Sequence, residues 1–178
     1  MAGSTARTAR RLALAATLTL GLTACFRPLY GPTASGAPLS AVLAAIQVDP
    51  ATTPQGQERL GHYLRSELVF DLDGSGLPSE KRYRLQLAVS ESVQTPIVSS
   101  VTGRAESATL FGTATFKVTT LDGSRVLTDG TATGSATYDR SVQRYASVRA
   151  AREAEIRLAK LLSEQIKGRV AAILATQP

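Results

Sequence analysis

The sequence predicts an α+β fold, a two-layer sandwich in which a four-stranded, mainly antiparallel sheet carries two helices packed on one face, in the order β-α-β-β-β-α. Three observations predict it. Apolar and polar residues alternate with a period of two over residues 82–90, 107–121 and 125–138. Apolar residues recur at helical spacing between Ile156 and Ile173. A helix-start pattern stands at Thr52-Thr53-Pro54, where a Thr cap is followed by Pro in the first turn.

In chain order, residues 41–48 are apolar enough for a strand with Val42, Ala44, Ile46 and Val48 on one face, closed by Asp49-Pro50. A helix over residues 55–68 presents Leu60, Tyr63 or Leu64, and Leu68. In the next strand Tyr83, Leu85, Leu87 and Val89 share one side, and Arg82, Arg84, Gln86 and Ser90 share the other. Residues 94–103 form a loop whose Ile97, Val98 and Val101 either mark a contact or fold back over the sheet edge. A long strand follows, with Ala108, Leu110, Gly112, Ala114, Phe116 and Val118 facing a helix that the small residues let lie close. Asp122-Gly123 signals a hairpin into a strand with Ala132, Gly134, Ala136 and Tyr138 on the same face, and Gly130 suits a bulge or bend. The opposite face is rich in threonine, a residue whose shape suits β structure while its hydroxyl stays solvated or meets a polar wall. The last helix reaches about Ala175. Ser141 or Ser147 is its cap, and Ile156, Ala159, Ser163, Ile166, Val170 and Ile173 form its apolar stripe, widened by Leu158, Leu161 and Leu162. Glu153 and Arg157 stand at i and i+4, and Gly168 suits a kink or a close contact. The polar face mixes acids and bases, which reads as a docking helix and not a membrane-surface one.

The N-terminus is of another kind. Arg7, Arg10 and Arg11 precede an apolar run over residues 12–22 that is about half of the roughly 20 residues a membrane span needs. That pattern is a secretory signal peptide, residues 1–24, cut before Cys25. Leu22-Thr23-Ala24-Cys25 resembles the lipobox of bacterial lipoproteins, in which the thiol receives a diacylglycerol and the new N-terminus is acylated. Phe26 and not Asp follows Cys25, which favours the outer membrane. Residues 25–40, with Pro28 and a Gly/Pro/Ser/Ala-rich stretch, read as a flexible tether, and residues 41–178 as one domain.

Three basic residues leave with the signal, so 17 basic face 14 acidic residues in the mature chain, a balance of +3 in place of +6. Scattered basic residues and the absence of Trp weigh against nucleic acid, while a mild positive balance fits an anionic partner. Cys25 is the only cysteine, so no internal disulfide is available. His62 is the only histidine and reads as a surface or packing residue. Asp71, Asp73 and Gly74 begin like a calcium loop, but Arg82 stands where its bidentate Glu belongs, leaving a solvated turn. No catalytic constellation, metal cluster or cofactor motif is visible, so the expectation is a non-enzyme whose only attached group is the lipid on Cys25.

Cys25-Phe26-Arg27-Pro28-Leu29-Tyr30-Gly31 after a lipobox, then Arg82-Tyr83-Arg84-Leu85, Ala136-Thr137-Tyr138-Asp139, Tyr145-Ala146 and the helix over residues 151–174, together resemble the alphaproteobacterial branch of the LPS-assembly lipoprotein LptE family. The branch often carries Gly between Cys and Phe; here Phe follows directly. The resemblance implies a lipid-anchored protein on the periplasmic side of the outer membrane. It would plug the LptD β-barrel, assist its assembly and bind lipopolysaccharide on its way to the outer leaflet. The alternative is an auxiliary lipoprotein of an ABC-type lipid transport system. No local motif carries over lipid-binding residues. The candidates for lipopolysaccharide phosphates, chosen by strand or loop position and charge, are Arg82, Arg84, Arg104, Lys117 and Arg125.

Overall fold

Among the described residues seven elements follow one another: helix α1 (Leu39–Ala44), strand β1 (Ile46–Val48), helix α2 (Glu58–Asp73), strands β2 (Tyr83–Gln94), β3 (Ser107–Thr120) and β4 (Val126–Asp139), and helix α3 (Arg144–Thr176). They belong to a computed structural model, which describes residues 33–34, 36–74, 79–95, 98, 100 and 103–176. The signal peptide, Cys25 and residues 26–31 lie outside the described residues, as do Ile97 and Val101. The strands form one sheet in the order β1-β2-β3-β4, with β1 parallel to β2 and the other pairs antiparallel. The predicted α+β sandwich is therefore what the chain forms, with one short helix more than expected among the described residues.

That extra helix corrects the first predicted strand. Residues 41–48 are not one strand: α1 takes Leu39–Ala44, and only Ile46–Val48 enters the sheet. Two periods compete on this short run. Val42, Ala44, Ile46 and Val48 alternate, but Leu39 and Leu43 stand four apart and are both buried, and Ala41 and Ala44 favour helix.

The second correction moves α2. Thr52 does not cap it. Its backbone pairs instead with β2, through Thr52 N–H to Leu87 C=O (2.9 Å) and Val89 N–H to Thr52 C=O (2.9 Å). The chain turns at Gly56, whose φ of +86° favours glycine. Gln57 then clasps the Glu91 backbone at both ends, Nε2 donating to its carbonyl (3.0 Å) and Oε1 accepting from its amide (2.7 Å). The helix starts at Glu58 and runs on to Asp73, so Asp71 and Asp73 belong to its last turn and not to a solvated loop. Asp71 accepts from the fully buried Ser163 hydroxyl (2.7 Å), and Asp73 meets Lys81 (2.6 Å).

The core lies between the helices and one face of the sheet. Leu60, Leu64, Leu68 and Leu72 make a stripe at i, i+4 on α2, and Leu158, Leu162, Ile166, Val170 and Leu174 make one on α3. Against them stand Leu85, Leu87 and Val89 of β2, Leu110, Ala114, Phe116 and Val118 of β3, and Ala132 and Ala136 of β4. The predicted strand faces hold. A Cβ on Gly112 would stand 2.9 Å from a Leu158 methyl, so the close approach expected at the small residues is real.

On α3 the buried stripe is turned from its predicted line. Ile173 and Leu161 are exposed at 37% and 39%, while Leu158 and Leu174 are in the core. Ser141 and Ser147 together build the start: Ser147 Oγ donates to Ser141 C=O (2.8 Å) and accepts from Ser141 N–H (2.9 Å). Gly168 meets nothing a side chain would touch, so close packing is not its reason. Gly130 marks no bulge. It leaves room for the Phe116 ring, and the register shift lies nearer the hairpin, between Val118 and Thr119.

Arg157 does not pair with Glu153; it serves the sheet. Its Nη2 donates to Thr137 C=O (2.9 Å), Gln165 Nε2 to Thr133 C=O (2.9 Å) and Arg169 Nη1 to Thr131 C=O (2.5 Å). These three donors, spaced along one face of α3, occupy carbonyls on the free edge of β4, where an unprotected 14-residue strand would invite another chain. The same bonds show that α3 runs antiparallel to β4.

Candidate functional site

The helices cover one face of the sheet, and among the described residues no element covers the other. Its side chains line up in rows across β2, β3 and β4: Gln86–Lys117–Asp129, Ala88–Thr115–Thr131, Ser90–Thr113–Thr133, Ser92–Phe111–Ser135 and Gln94–Thr109–Thr137. Most are exposed. Period-two alternation with threonine, serine and glutamine at the outer positions gives this surface, since each residue that sends an apolar group inward sends its neighbour outward. Thr109 and Thr137 share a hydrogen bond at 3.0 Å, and the Thr115 hydroxyl leans on Ala88 C=O (3.4 Å).

A groove of about 400 Å³ crosses one side of this face, bounded by Asp49, Pro50 and Thr52 on one wall, Thr115 and Lys117 on the other, and Gln86 and Ala88 on the floor. It continues into a hollow of about 330 Å³ beside Thr53, Pro54, Ser90 and Thr113. The groove has a local cause. Pro50 has no N–H to give, so the chain leaves β2 after Asp49 and rejoins it at Thr52, while the Ala88 methyl keeps the floor low.

The structure divides the predicted cationic residues. Arg84 and Lys117 lie on the open face, and Arg82 and Arg125 stand near them at the end of the sheet that carries the β3–β4 turn, where Leu121 N–H bonds to Arg82 C=O and Thr120 N–H to Arg125 C=O. Arg104 is at the opposite end, three residues before β3 begins. Arg84 Nε is buried without a hydrogen bond, and its nearest carboxylate oxygen, Asp49 Oδ2, is 3.7 Å away. In the turn, the Thr120 hydroxyl and then the Ser124 amide and hydroxyl hold the Asp122 carboxyl below its usual range. Gly123, at φ +74°, closes that turn as the Asp-Gly pair predicts. The wall at residues 49–54 escaped sequence reasoning, because only the fold brings it beside residues 86–88 and 115–117.

His62 is exposed on α2, its ring 6.0 Å from that of Tyr63. Among the described residues no three His, Cys, Asp or Glu side chains are grouped to hold a metal, and no helix is long and apolar enough to cross a membrane.

Between α2 and α3, Glu155 accepts from Arg59 Nε (2.8 Å), and Glu91 of β2 lies close by with its Oε2 buried and without a partner. Burial above all, and then the Glu155 charge, pushes the Glu91 carboxyl above its usual range against the opposing effect of Arg59. A carboxyl raised in the folded state costs stability once ionised. The cost is absent below the unfolded pKa and complete above the folded one. Glu91→Gln is therefore expected to be more stable than the parent at pH 7, by less than about 1 kcal/mol because the side chain keeps much of its solvent contact. Urea denaturation should show the gap closing as pH falls through the carboxylate range; a gap that does not change with pH would refute this account.

No protein-family model and no curated protein matches the chain. Among solved structures, a minor lipoprotein from Acinetobacter baumannii aligns at 15% identity and a TM-score of 0.46, over 72% of this chain and 92% of that one. Rare lipoprotein B from Shewanella oneidensis aligns at 14% identity and a TM-score of 0.43, over 70% of this chain and 97% of that one. A protein of Caulobacter crescentus CB15, described as a presumed lipoprotein, aligns at 24% identity and a TM-score of 0.60, over 78% of this chain and 97% of that one. With that Caulobacter protein the chain shares its fold.

Proposed function

We propose that this chain is a lipid-anchored, non-enzymatic lipoprotein on the periplasmic side of the outer membrane. In this reading it seats as a plug in an LptD-type β-barrel, assists assembly of that barrel, and binds lipopolysaccharide during insertion into the outer leaflet. The observation that carries the proposal is the open sheet face. Hydroxyl-bearing rows three strands wide, with no described element of the chain over them, suit a polar barrel wall. The lipobox at Cys25 supplies the anchor, and the Caulobacter protein of the same fold is itself described as a presumed lipoprotein. Arg84 and Lys117, beside the groove, are the predicted cations best placed for phosphate on that face.

The test is site-specific photocrosslinking in cells from Thr113 and from Thr133. A crosslink to an outer-membrane barrel is expected. Crosslinks only to a substrate-binding protein of an inner-membrane transporter would favour the ABC-type alternative, and no barrel adduct from either position would overturn the plug reading.

A further inference from the structure

The end of the molecule away from the β3–β4 turn carries a surface with a composition unlike the rest. Residues 140–152 hold four arginines, Arg140, Arg144, Arg149 and Arg152, and no acidic residue. Among the described ion pairs none involves these four, and all four are exposed. Large apolar groups stand among them: Val142 is 80% exposed, Tyr145 75% and Val148 50%.

The helical spacing makes this one surface. Tyr145, Val148, Arg149 and Arg152 follow i, i+3, i+4, i+7, and Arg144 stands one turn before Val148, so they share the outward face of the first two turns of α3. Ala154, on the other side, is fully buried. From Glu153 onward the exposed positions mix both signs, as Lys160, Glu164 and Arg169 do, so the docking-helix expectation fits that stretch and not residues 144–152. Asp139 and Glu106 are the acidic residues at the adjoining strand ends, the latter through its carbonyl bond to Arg140 N–H (2.8 Å). An outward helix face that joins arginine with tyrosine and valine and lacks carboxylates is matched to an apolar layer under anionic headgroups.

Its position separates it from the acyl anchor. Ala34 N–H bonds to Ala175 C=O, so the N-terminal chain enters at the far end of α3. Thirty residues of helix lie between Tyr145 and Ala175, about 45 Å at 1.5 Å per residue. The eight residue-to-residue steps from Cys25 to Thr33 span at most about 28 Å. An anchor at Cys25 would hold the opposite end of α3 near lipid without fixing this end against it; a contact here is made by its own side chains.

We propose that the first two turns of α3, with Arg140 and Val142 before them, are a second lipid contact that binds an anionic lipid surface through arginine and inserts Tyr145 and Val148 at the headgroup level. The contact goes beyond the plug reading, since it needs neither the barrel nor the acyl chains. The test uses the mature chain, residues 25–178, carrying Cys25→Ser so that no acyl group contributes, in co-sedimentation with vesicles. Binding to phosphatidylglycerol/phosphatidylcholine vesicles, weakened by salt and negligible with phosphatidylcholine alone, is expected. Arg144→Gln/Arg149→Gln/Arg152→Gln should weaken it on the order of 100-fold, at about 1 kcal/mol per arginine near an anionic surface. Tyr145→Ala/Val148→Ala should weaken it at constant charge, and Lys160→Gln should not. Because every altered residue is exposed, thermal melts should stay at the parental value. Equal binding by the triple variant, or equal binding to neutral vesicles, overturns the proposal. So does failure of the parent to bind anionic vesicles when the same arginines bind an acidic protein. A barrel crosslink with no vesicle binding would remove this contact and leave the plug reading standing.

Discussion

Leu158→Ala is expected to lower the stability of the folded domain by about 3–5 kcal/mol, a large share of what a domain of this size possesses. The side chain is fully buried at the centre of the α3 stripe. Its methyl groups fill the space that Gly112 of β3 and Gly134 of β4 leave open, so they touch two strands at once. The glycines cannot grow and the strands are tied to each other by a long antiparallel ladder, which limits how far the cavity can collapse. Urea denaturation at neutral pH measures the loss. A cost below about 1 kcal/mol would mean that α3 slides to close the gap and that the glycine contacts do not fix its position. Leu161→Ala is the matching comparison: it touches Gly134 from an exposed position, and its cost should be several-fold smaller.

Cys25→Ser is expected to abolish incorporation of labelled palmitate and, in the purified mature chain, flotation with neutral vesicles. One C14 chain gives an association constant of only about 10⁴ M⁻¹, and each buried CH₂ adds about 0.8 kcal/mol, so two or more chains on one residue make the difference between a held and a released protein. The open sheet face and the core are formed by residues from 39 onward, so the variant should keep the parental melting temperature. Palmitate labelling at parental level in Cys25→Ser would remove the lipobox assignment. The neutral vesicles keep this outcome separate from the arginine-dependent contact, which needs anionic lipid.

Much of the fold was legible because strands of half-buried character announce themselves. In β2, β3 and β4 the alternation is long, and a slip of one residue would send every apolar side chain to solvent, so the inward set could be named residue by residue. The short elements were not legible in the same way. Six residues of α1 carry too few turns to separate a period of 3.6 from one of 2, and the decision fell to where Leu39 and Leu43 could be buried. The start of α2 was misplaced because Thr52 had two uses for its backbone, a cap or a bond to β2, and the sheet won. Asp71 and Asp73 looked like turn residues until Ser163, 92 positions from Asp71, and Lys81 proved to be their partners.

The same division runs through the candidate sites. The identity of the open face was determined by the sequence itself, since the polar members of each alternating pair must point away from the core wherever the strands are placed. So were the lipobox-like run that ends at Cys25 and the run of arginines without acids before Glu153, which are properties of consecutive positions. Which of the five predicted cations share a face was decided by the tertiary structure, which puts Arg84 and Lys117 on the open face, leaves Arg82 and Arg125 at the same end of the sheet, and sends Arg104 to the other end. The groove beside residues 49–54, the arginine and glutamine donors on the β4 edge, and the separation of Ala34, which meets Ala175, from the arginine-rich end were decided there too. The physical reason is common to all of them. Periodicity fixes the direction in which a side chain leaves its own element, a local quantity, whereas a wall, a clamp or a distance between ends exists only after strand register and helix docking have brought distant segments side by side.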